Sequence, residues 1–178
     1  IPPLIPYFMS CALAIPKAAI AKTVNVIFVK DEKFGIKIPA RLKDLVTLNV
    51  DATGELQIAF KTADTDRDYT NIIVYAPNIN TIDVTNAENL YFDVEQDSIS
   101  VNAKQINQMD IGGLKVNNVT VNAETKRLDI DQGQIKSLKA NLKGTEFTTS
   151  SHSYDYLELN TSGQSSILIQ GEYSEGDA

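Results

Sequence analysis

The chain has very few of the residues from which most catalytic and metal centres are built. Its 178 residues include one cysteine, one histidine and no tryptophan. A single cysteine excludes an internal disulfide, and no Cys/His cluster has the spacing of a metal site. Cys11 has no nearby histidine to activate it, and His152 lies among serines and threonines, which is typical of a solvated loop. The sequence therefore predicts a protein that is not an enzyme and that needs no cofactor.

Positive charge is also scarce. The chain has 16 Lys and Arg against 23 Asp and Glu, which gives a net charge of -7, and the basic residues form no stripe. This composition argues against a nucleic-acid partner. No apolar run reaches the roughly 18 residues of a membrane-spanning helix, so we expect no transmembrane segment.

Residues 1–15 are apolar but lack the initial methionine and the basic leader of a complete signal peptide. The pair Ser10-Cys11 resembles a lipoprotein cleavage site, which would indicate a lipid-anchored precursor. A buried strand or cap segment with a small apolar thiol is the simpler interpretation, because the basic leader is missing. We also expect that the chain begins within a longer precursor.

Proline is absent after Pro77, and no segment beyond Gly35 has a convincing helical period. In place of helices, short apolar strand signals follow one another every eight to ten residues. They begin at Ile82, Leu90, Ile99, Met109, Val119, Leu128, Leu138, Phe147, Leu157 and Ile167. These residues form two alternating columns with a step of about 19 residues, which fits a β-solenoid coil carrying two main strands and is too short for helical repeats.

Alternation within the strands assigns the two faces of each strand. The spacing aligns Ile82 with Ile99 in the first column and Leu90 with Met109 in the second. Each of these residues, and the residue two positions later, is expected to point inward, and the residue between them outward. A slip of one residue would bury charged side chains, so the register is well specified.

Three carboxylates fall on one predicted outer face. Asp110 and Asp129 are outward neighbours in consecutive coils, about 4.8 Å apart, and Asp131 lies two residues further on the same side. Such a group predicts a Ca²⁺ site, because Ca²⁺ prefers oxygen ligands. Since Ca²⁺ takes six or more oxygens, a solvated acidic face offset by nearby basic side chains is the simpler interpretation. The outward Lys139 is the one basic candidate for an enzyme of the pectate-lyase type.

Exposed aromatic side chains often mark sugar-binding surfaces. Near the repeats the candidates are Tyr91, Tyr154 and Tyr156. A single tyrosine in a strand more often packs against its neighbours than binds a ligand. The tyrosines therefore leave passive glycan binding open and do not establish it.

Three segments resemble a known family. They are VYAPNINTIDVTNA at residues 74–87, VKDEKFGIKI at 29–38 and VDATGELQI at 50–58. They are similar to the coil signature, the early strands and the hairpin of the "putative auto-transporter adhesin, head GIN domain" family of bacterial envelope proteins. The family's corner Ser-Gly is replaced by Thr85-Asn86 and is kept at Ser162-Gly163. The resemblance implies a right-handed parallel β-helix in the periplasm or at the cell surface, and it supplies no catalytic residues.

The sequence thus predicts an all-β, right-handed parallel β-helix forming a single domain. Residues 1–75 are expected to form an N-terminal cap and the first strands, residues 76–170 the repeat coils, and residues 171–178 a polar tail. The segment ending at Lys30 is expected to cover one end of the solenoid and the tail to cover the other.

Three functions remain open from the sequence. The first is a non-enzymatic binding or adhesion module of the cell envelope, whose ligand is a glycan or a surface protein. The second is a Ca²⁺-dependent polysaccharide-processing enzyme that uses Asp110, Asp129 and Lys139. The third is a structural stalk or assembly module that associates with itself.

Overall fold

The computed structural model describes residues 10–14, 24–44, 46–50, 56–60, 70–85, 89–93, 95–131, 133–150 and 154–170. Apart from the 3₁₀ turn Ala40–Leu42, the regular elements in these ranges are strands. They are β1 (Ser10–Ala14), β2 (Val24–Lys30), β3 (Gly35–Lys37), β4 (Val46–Val50), β5 (Leu56–Phe60), β6 (Thr70–Ala76), β7 (Thr81–Thr85), β8 (Asn89–Asp93), β9 (Glu95–Gly112), β10 (Lys115–Asp131), β11 (Gln134–Lys143), β12 (Glu146–Ser150), β13 (Tyr156–Ser162) and β14 (Ser166–Gln170).

The strands wind a parallel β-solenoid whose coils repeat about every 20 residues. One long side, face one, stacks β5, β1, β7, the first halves of β9 and β10, then β11 and β13. The other long side, face two, stacks β6, β2, β8, the second halves of β9 and β10, then β12 and β14. The long strands β9 and β10 therefore run along both faces, and their pairing shifts register between Glu124 and Thr125, where they turn. The predicted solenoid and its coil length are confirmed.

Two predicted alignments are wrong by two residues. Ile82 pairs with Val101 rather than with Ile99, and Leu90 pairs with Ile111 rather than with Met109. A shift of two residues keeps every side chain on its predicted face, because side chains on a strand alternate with a period of two. The inward and outward assignments therefore survive although the partners change.

The order of the coils in space differs from their order in the chain. On face two, β2 lies between β6 and β8, and on face one β1 lies between β5 and β7. The first coil is thus inserted between two coils that follow it in sequence. The expectation that the segment ending at Lys30 covers an end of the solenoid is wrong, because β2 has parallel neighbours on both sides.

Short antiparallel strands end the stack on this side. β3 pairs with β6 on face two, and β4 pairs with β5 on face one, both in the antiparallel sense. They interrupt the parallel ladder, which is a common way to protect a sheet edge. β3 and β4 are therefore the outermost described strands on this side, and the division into a cap (1–75), repeat coils (76–170) and a tail (171–178) stays a prediction.

Inward side chains fill the core in stacked rows. In the middle coils the row of Met109, Leu128 and Phe147 is fully buried, and Phe28 stacks on Phe92 with ring centroids 5.0 Å apart. Burying a side chain of this size contributes roughly 1.5–3 kcal/mol. The last coil is different, because Leu157 and Leu159 of β13 are only partly buried. Within the described residues, the core is therefore more exposed towards the C-terminal end. The tail predicted to cover this end, residues 171–178, lies outside the described residues.

Candidate functional site

The structure brings two of the three predicted carboxylates together. Asp110 and Asp129 are direct register partners on the outer side of face two. Asp129 Oδ2 accepts a hydrogen bond from Arg127 Nε at 2.8 Å, and Gln108 Nε2 lies 3.4 Å from Asp110 Oδ1. We call Asp110 and Asp129 the carboxylate pair.

Burial raises the pKa of Asp110, and the neighbouring Asp129 raises it further. The amide of Gln108 and the guanidinium of Arg127 act in the opposite direction. Asp129 Oδ1 is buried and accepts no hydrogen bond within the described residues. Burial and the neighbouring carboxylate therefore make the protonated form of Asp110 easier to reach than in a free aspartate.

The third carboxylate lies beside a glycine. Asp131 pairs with Gly112, and a side-chain carbon at Gly112 would lie 3.1 Å from Asp131 Oδ1 and 3.3 Å from Tyr91 Cδ1. The missing Cβ therefore leaves the space that these two side chains use. Within the described ranges, no group of three or more His, Cys, Asp and Glu side chains is placed to hold a metal ion. The calcium site of Asp110, Asp129 and Asp131 stays a prediction.

Lys139 lies on face one, away from the carboxylate pair. Its Nζ is 2.8 Å from Glu158 Oε1, and Glu158 also accepts hydrogen bonds from Asn160 Nδ2 at 2.8 Å and the Tyr156 hydroxyl at 3.1 Å. The hydrogen bond from Lys139, followed by those from Asn160 and Tyr156, lowers the pKa of Glu158 to about 2. The three residues of the predicted enzyme are therefore not brought together.

The three candidate tyrosines differ in their exposure to solvent. Tyr154 is buried, its hydroxyl hydrogen-bonds Thr149, and burial raises its pKa to about 12. It therefore packs in the interior, whereas Tyr91 and Tyr156 are exposed. His152 lies outside the described residues, and Cys11 is described only as a backbone position in β1.

A ladder of side-chain amides follows face one, which the sequence reading missed. Each asparagine donates from Nδ2 to Oδ1 of the preceding coil, and the distances are 2.7, 2.7, 2.7 and 3.0 Å. The ladder consists of Asp83, Asn102, Asn122, Asn141 and Asn160. Amides can continue such a chain because each one both donates and accepts. The signal was visible as Asn recurring at the coil period.

A groove runs along the short third side of the coils, between the end of face two and the start of face one. The groove has a volume of about 1070 Å³ and crosses four coils. Its walls include Glu95 and Asp97 from one coil, Lys115 and Asn117 from the next, and residues 133–136 and 155 beyond them. This is an extended, open surface rather than a closed cavity.

The walls of the groove are held by bonds between coils. Gln96 donates to the carbonyl oxygen of Ile79 in the neighbouring coil and to that of Ser98 in its own strand, both at 2.6 Å. Asn117 Nδ2 donates to Asp97 Oδ1 of the neighbouring coil at 3.1 Å. Backbone bonds at 2.6 and 2.8 Å join the following coils. The groove is therefore preformed.

Charges of both signs line the groove. Lys115 and Lys136 are exposed and form no ion pair within the part of the chain that the structure describes, and Asp155 follows in the next coil. Exposed amides lie between these charges. The arrangement can both donate hydrogen bonds to an extended polar ligand and accept them from it.

The fold and this groove define a parallel β-solenoid with a preformed polar surface and without an assembled catalytic constellation in its described residues. Within those residues, no helix is long and apolar enough to cross a membrane. The chain belongs to the family described as "Putative auto-transporter adhesin, head GIN domain", whose model matches residues 17–174. No match was found among curated proteins.

The comparison with solved structures matched chains from Bacteroides and Parabacteroides species. A "putative adhesin" from Bacteroides fragilis is 12% identical with a TM-score of 0.45, and the match covers 92% of this chain and 91% of that one. One from Parabacteroides merdae is 13% identical with a TM-score of 0.42 and coverages of 94% and 93%. One from Parabacteroides distasonis is 14% identical with a TM-score of 0.44 and coverages of 97% and 94%.

Proposed function

We propose that this chain is a non-enzymatic binding module of the bacterial cell envelope, and that its groove holds an extended polar ligand, a glycan or a surface polypeptide. The observation that carries the proposal is the preformed groove across four coils. Family membership supports it, because the family's description names an adhesin.

The dimensions of the groove suit a polymer. Four coils spaced about 4.8 Å apart extend over roughly 14 Å, which is about four residues of an extended peptide or a few sugar units. A ligand lying along the solenoid axis meets the same kinds of polar groups in each coil. Binding of this kind is expected to be modest for one module and stronger when several modules act together.

Charge reversal in the groove tests the proposal. Wild type, Lys115→Glu and the matched control Lys104→Glu would be applied to immobilised panels of glycans and of envelope and host surface proteins. Both lysines are exposed on long strands, but only Lys115 lines the groove. We expect a ligand whose affinity falls about tenfold or more with Lys115→Glu and is unchanged with Lys104→Glu. No ligand in either panel, or equal effects of the two variants, would overturn the proposal.

The carboxylate pair favours a second candidate, a polysaccharide-processing enzyme, because a carboxyl group whose pKa is raised, next to a second carboxyl group, can act in acid catalysis. Acidic polysaccharides would be incubated with wild type and Asp129→Asn in the presence and absence of Ca²⁺. We expect no product from either protein. Release by wild type that Asp129→Asn abolishes would replace the binding proposal with the enzyme, and release that also requires Ca²⁺ would support the calcium site.

A further inference from the structure

The two ends of the solenoid are finished differently. At one end the last described strands of the two faces are β3 and β4, which run antiparallel to their neighbours. At the other end, β13 pairs only with β11 and β14 only with β12 among the described residues. The outer edges of β13 and β14 therefore present backbone donors and acceptors without a described partner, as an edge that can add another strand does.

Apolar side chains are exposed at this open end. Phe147 in β12 is fully buried, but its register partner Ile167 in β14 is 42% exposed. Leu168, on the outer side of the same strand, is 51% exposed. The same row of inward side chains is therefore buried in one coil and exposed to solvent in the next. A further apolar strand could pack against the exposed residues.

The sequence of β14 is complementary to itself. It reads Ser-Ile-Leu-Ile-Gln and carries no charge. If a second copy lies antiparallel and centred on Leu168, Ile167 of one copy meets Ile169 of the other and Ser166 meets Gln170. No like charges oppose one another in this pairing, and the apolar inward residues of both copies continue the core.

The neighbouring edge strand also tolerates a second copy. Its one charged residue, Glu158 of β13, is already paired with Lys139. At the other end the last described strands, β3 and β4, run antiparallel to their neighbours, so a head-to-tail contact would not continue the parallel ladder. A contact between two like ends closes after two copies, whereas a head-to-tail contact would continue into a filament.

We propose that the C-terminal end of the solenoid is a two-fold interface, in which β14 pairs antiparallel with β14 of a second copy around Leu168. The interface is independent of the groove, since β14 does not line it. The dimer presents two grooves and so gives the module two attachment points.

Sedimentation across a concentration series tests the association. We expect a monomer–dimer equilibrium whose dissociation constant rises at least tenfold with Leu168→Lys, because two lysines would then meet at the axis. The control Tyr91→Lys introduces the same charge at an exposed aromatic position away from the end, and it is expected to keep the dimer. A strict monomer, a dimer indifferent to Leu168→Lys, or growth into filaments would each overturn the proposal.

Cysteine cross-linking tests the register. With the native cysteine removed by Cys11→Ser, Leu168→Cys places two thiols opposite each other at a Cβ separation of roughly 4.5–5.5 Å, within reach of a disulfide. Ser166→Cys in the same background places them roughly 13 Å apart and serves as the control. We expect mild oxidation to cross-link the first variant and not the second. Equal cross-linking of both, or of neither, would contradict the proposed pairing.

Discussion

Like side chains stack on like in the amide ladder of face one and in the carboxylate pair of face two, with opposite consequences. On face one, asparagines in successive coils form a continuous hydrogen-bonded ladder that ends on Asp83. On face two, Asp110 and Asp129 are stacked in the same way but repel each other unless one is protonated. The same backbone spacing is stabilising for an amide, which donates and accepts, and unfavourable for two ionised carboxylates, which only accept.

The largest effect is expected from converting a step of the amide ladder into a carboxylate. Asn122→Asp removes the donor to Asn102 and places two acceptors 2.7 Å apart. We expect a loss of about 2–3 kcal/mol in the free energy of unfolding at neutral pH. Urea unfolding at pH 7 and at pH 4 measures it, and the loss should shrink at the lower pH, where a protonated carboxyl donates again. The exposed Asn107→Asp is the control; an equal loss there would show that the ladder contributes nothing.

The reverse change on face two should have a smaller effect of opposite sign. Asp110→Asn removes one like charge and supplies an amide donor to the buried Asp129 Oδ1. We expect a gain below about 1 kcal/mol at neutral pH, because the site is partly exposed and screened.

The pH dependence of that variant follows from linkage. The pKa of Asp110 is raised in the folded protein, so its contribution is fully present below the ordinary value of 3.8 and is lost as the pH rises through the folded value. Asp110→Asn should remove this decline from unfolding curves measured across that range, and the exposed Asp93→Asn should keep it. A decline that persists in Asp110→Asn would assign it to another group.

Removing the positive charge of Arg127 should increase the repulsion between Asp110 and Asp129. Arg127 lowers the pKa of Asp110 and donates to Asp129, so Arg127→Gln is expected to raise the pKa of Asp110 further. Carboxyl ¹³C chemical shifts followed through a pH titration give the value. Lys126→Gln, the adjacent exposed lysine, should change it less; equal shifts would mean that Arg127 acts only through net charge.

The smallest effect on stability is expected at the exposed ion pair of face one. Lys139→Met should raise the pKa of Glu158 from about 2 towards its ordinary value of 4.5. The depressed pKa makes the contribution of Glu158 present above the ordinary value and lost as the pH falls towards 2. An NMR titration detects the shift even where unfolding does not change. Lys143→Met, which breaks a separate pair with Glu124, should leave Glu158 unaltered.

Much of the fold could be predicted from the sequence, because it follows from the alternation of apolar and polar residues along each strand. Apolar residues at every second position specify which side of each strand is buried, and the recurrence of these strands specifies the coil length. The pairing of Ile82 with Val101 was missed because Ile99 and Val101 are both apolar and inward-facing. A two-residue shift leaves the pattern unchanged, so alternation cannot distinguish the two partners.

The candidate sites were harder to predict from the sequence than the fold. The carboxylate pair followed from the coil step because Asp110 and Asp129 lie in the regular part of the solenoid. The groove was missed, since its residues are unremarkable polar side chains from four coils and share no motif. The two columns placed Lys139 and the carboxylate pair on different faces, as the structure does, so the enzyme hypothesis joined residues that the coil pattern itself separated.

The sequence by itself determined that this protein is an all-β solenoid, how long its coils are and which side chains point inward, because these follow from short-range alternation. Only the tertiary structure decided that β1 and β2 are inserted between later coils, which amides form the ladder, and where the groove and the open end lie. Parallel strands are joined by backbone hydrogen bonds that carry no sequence information. Any coil with the right faces can therefore stack on another, and the choice among them is made by packing over the whole molecule.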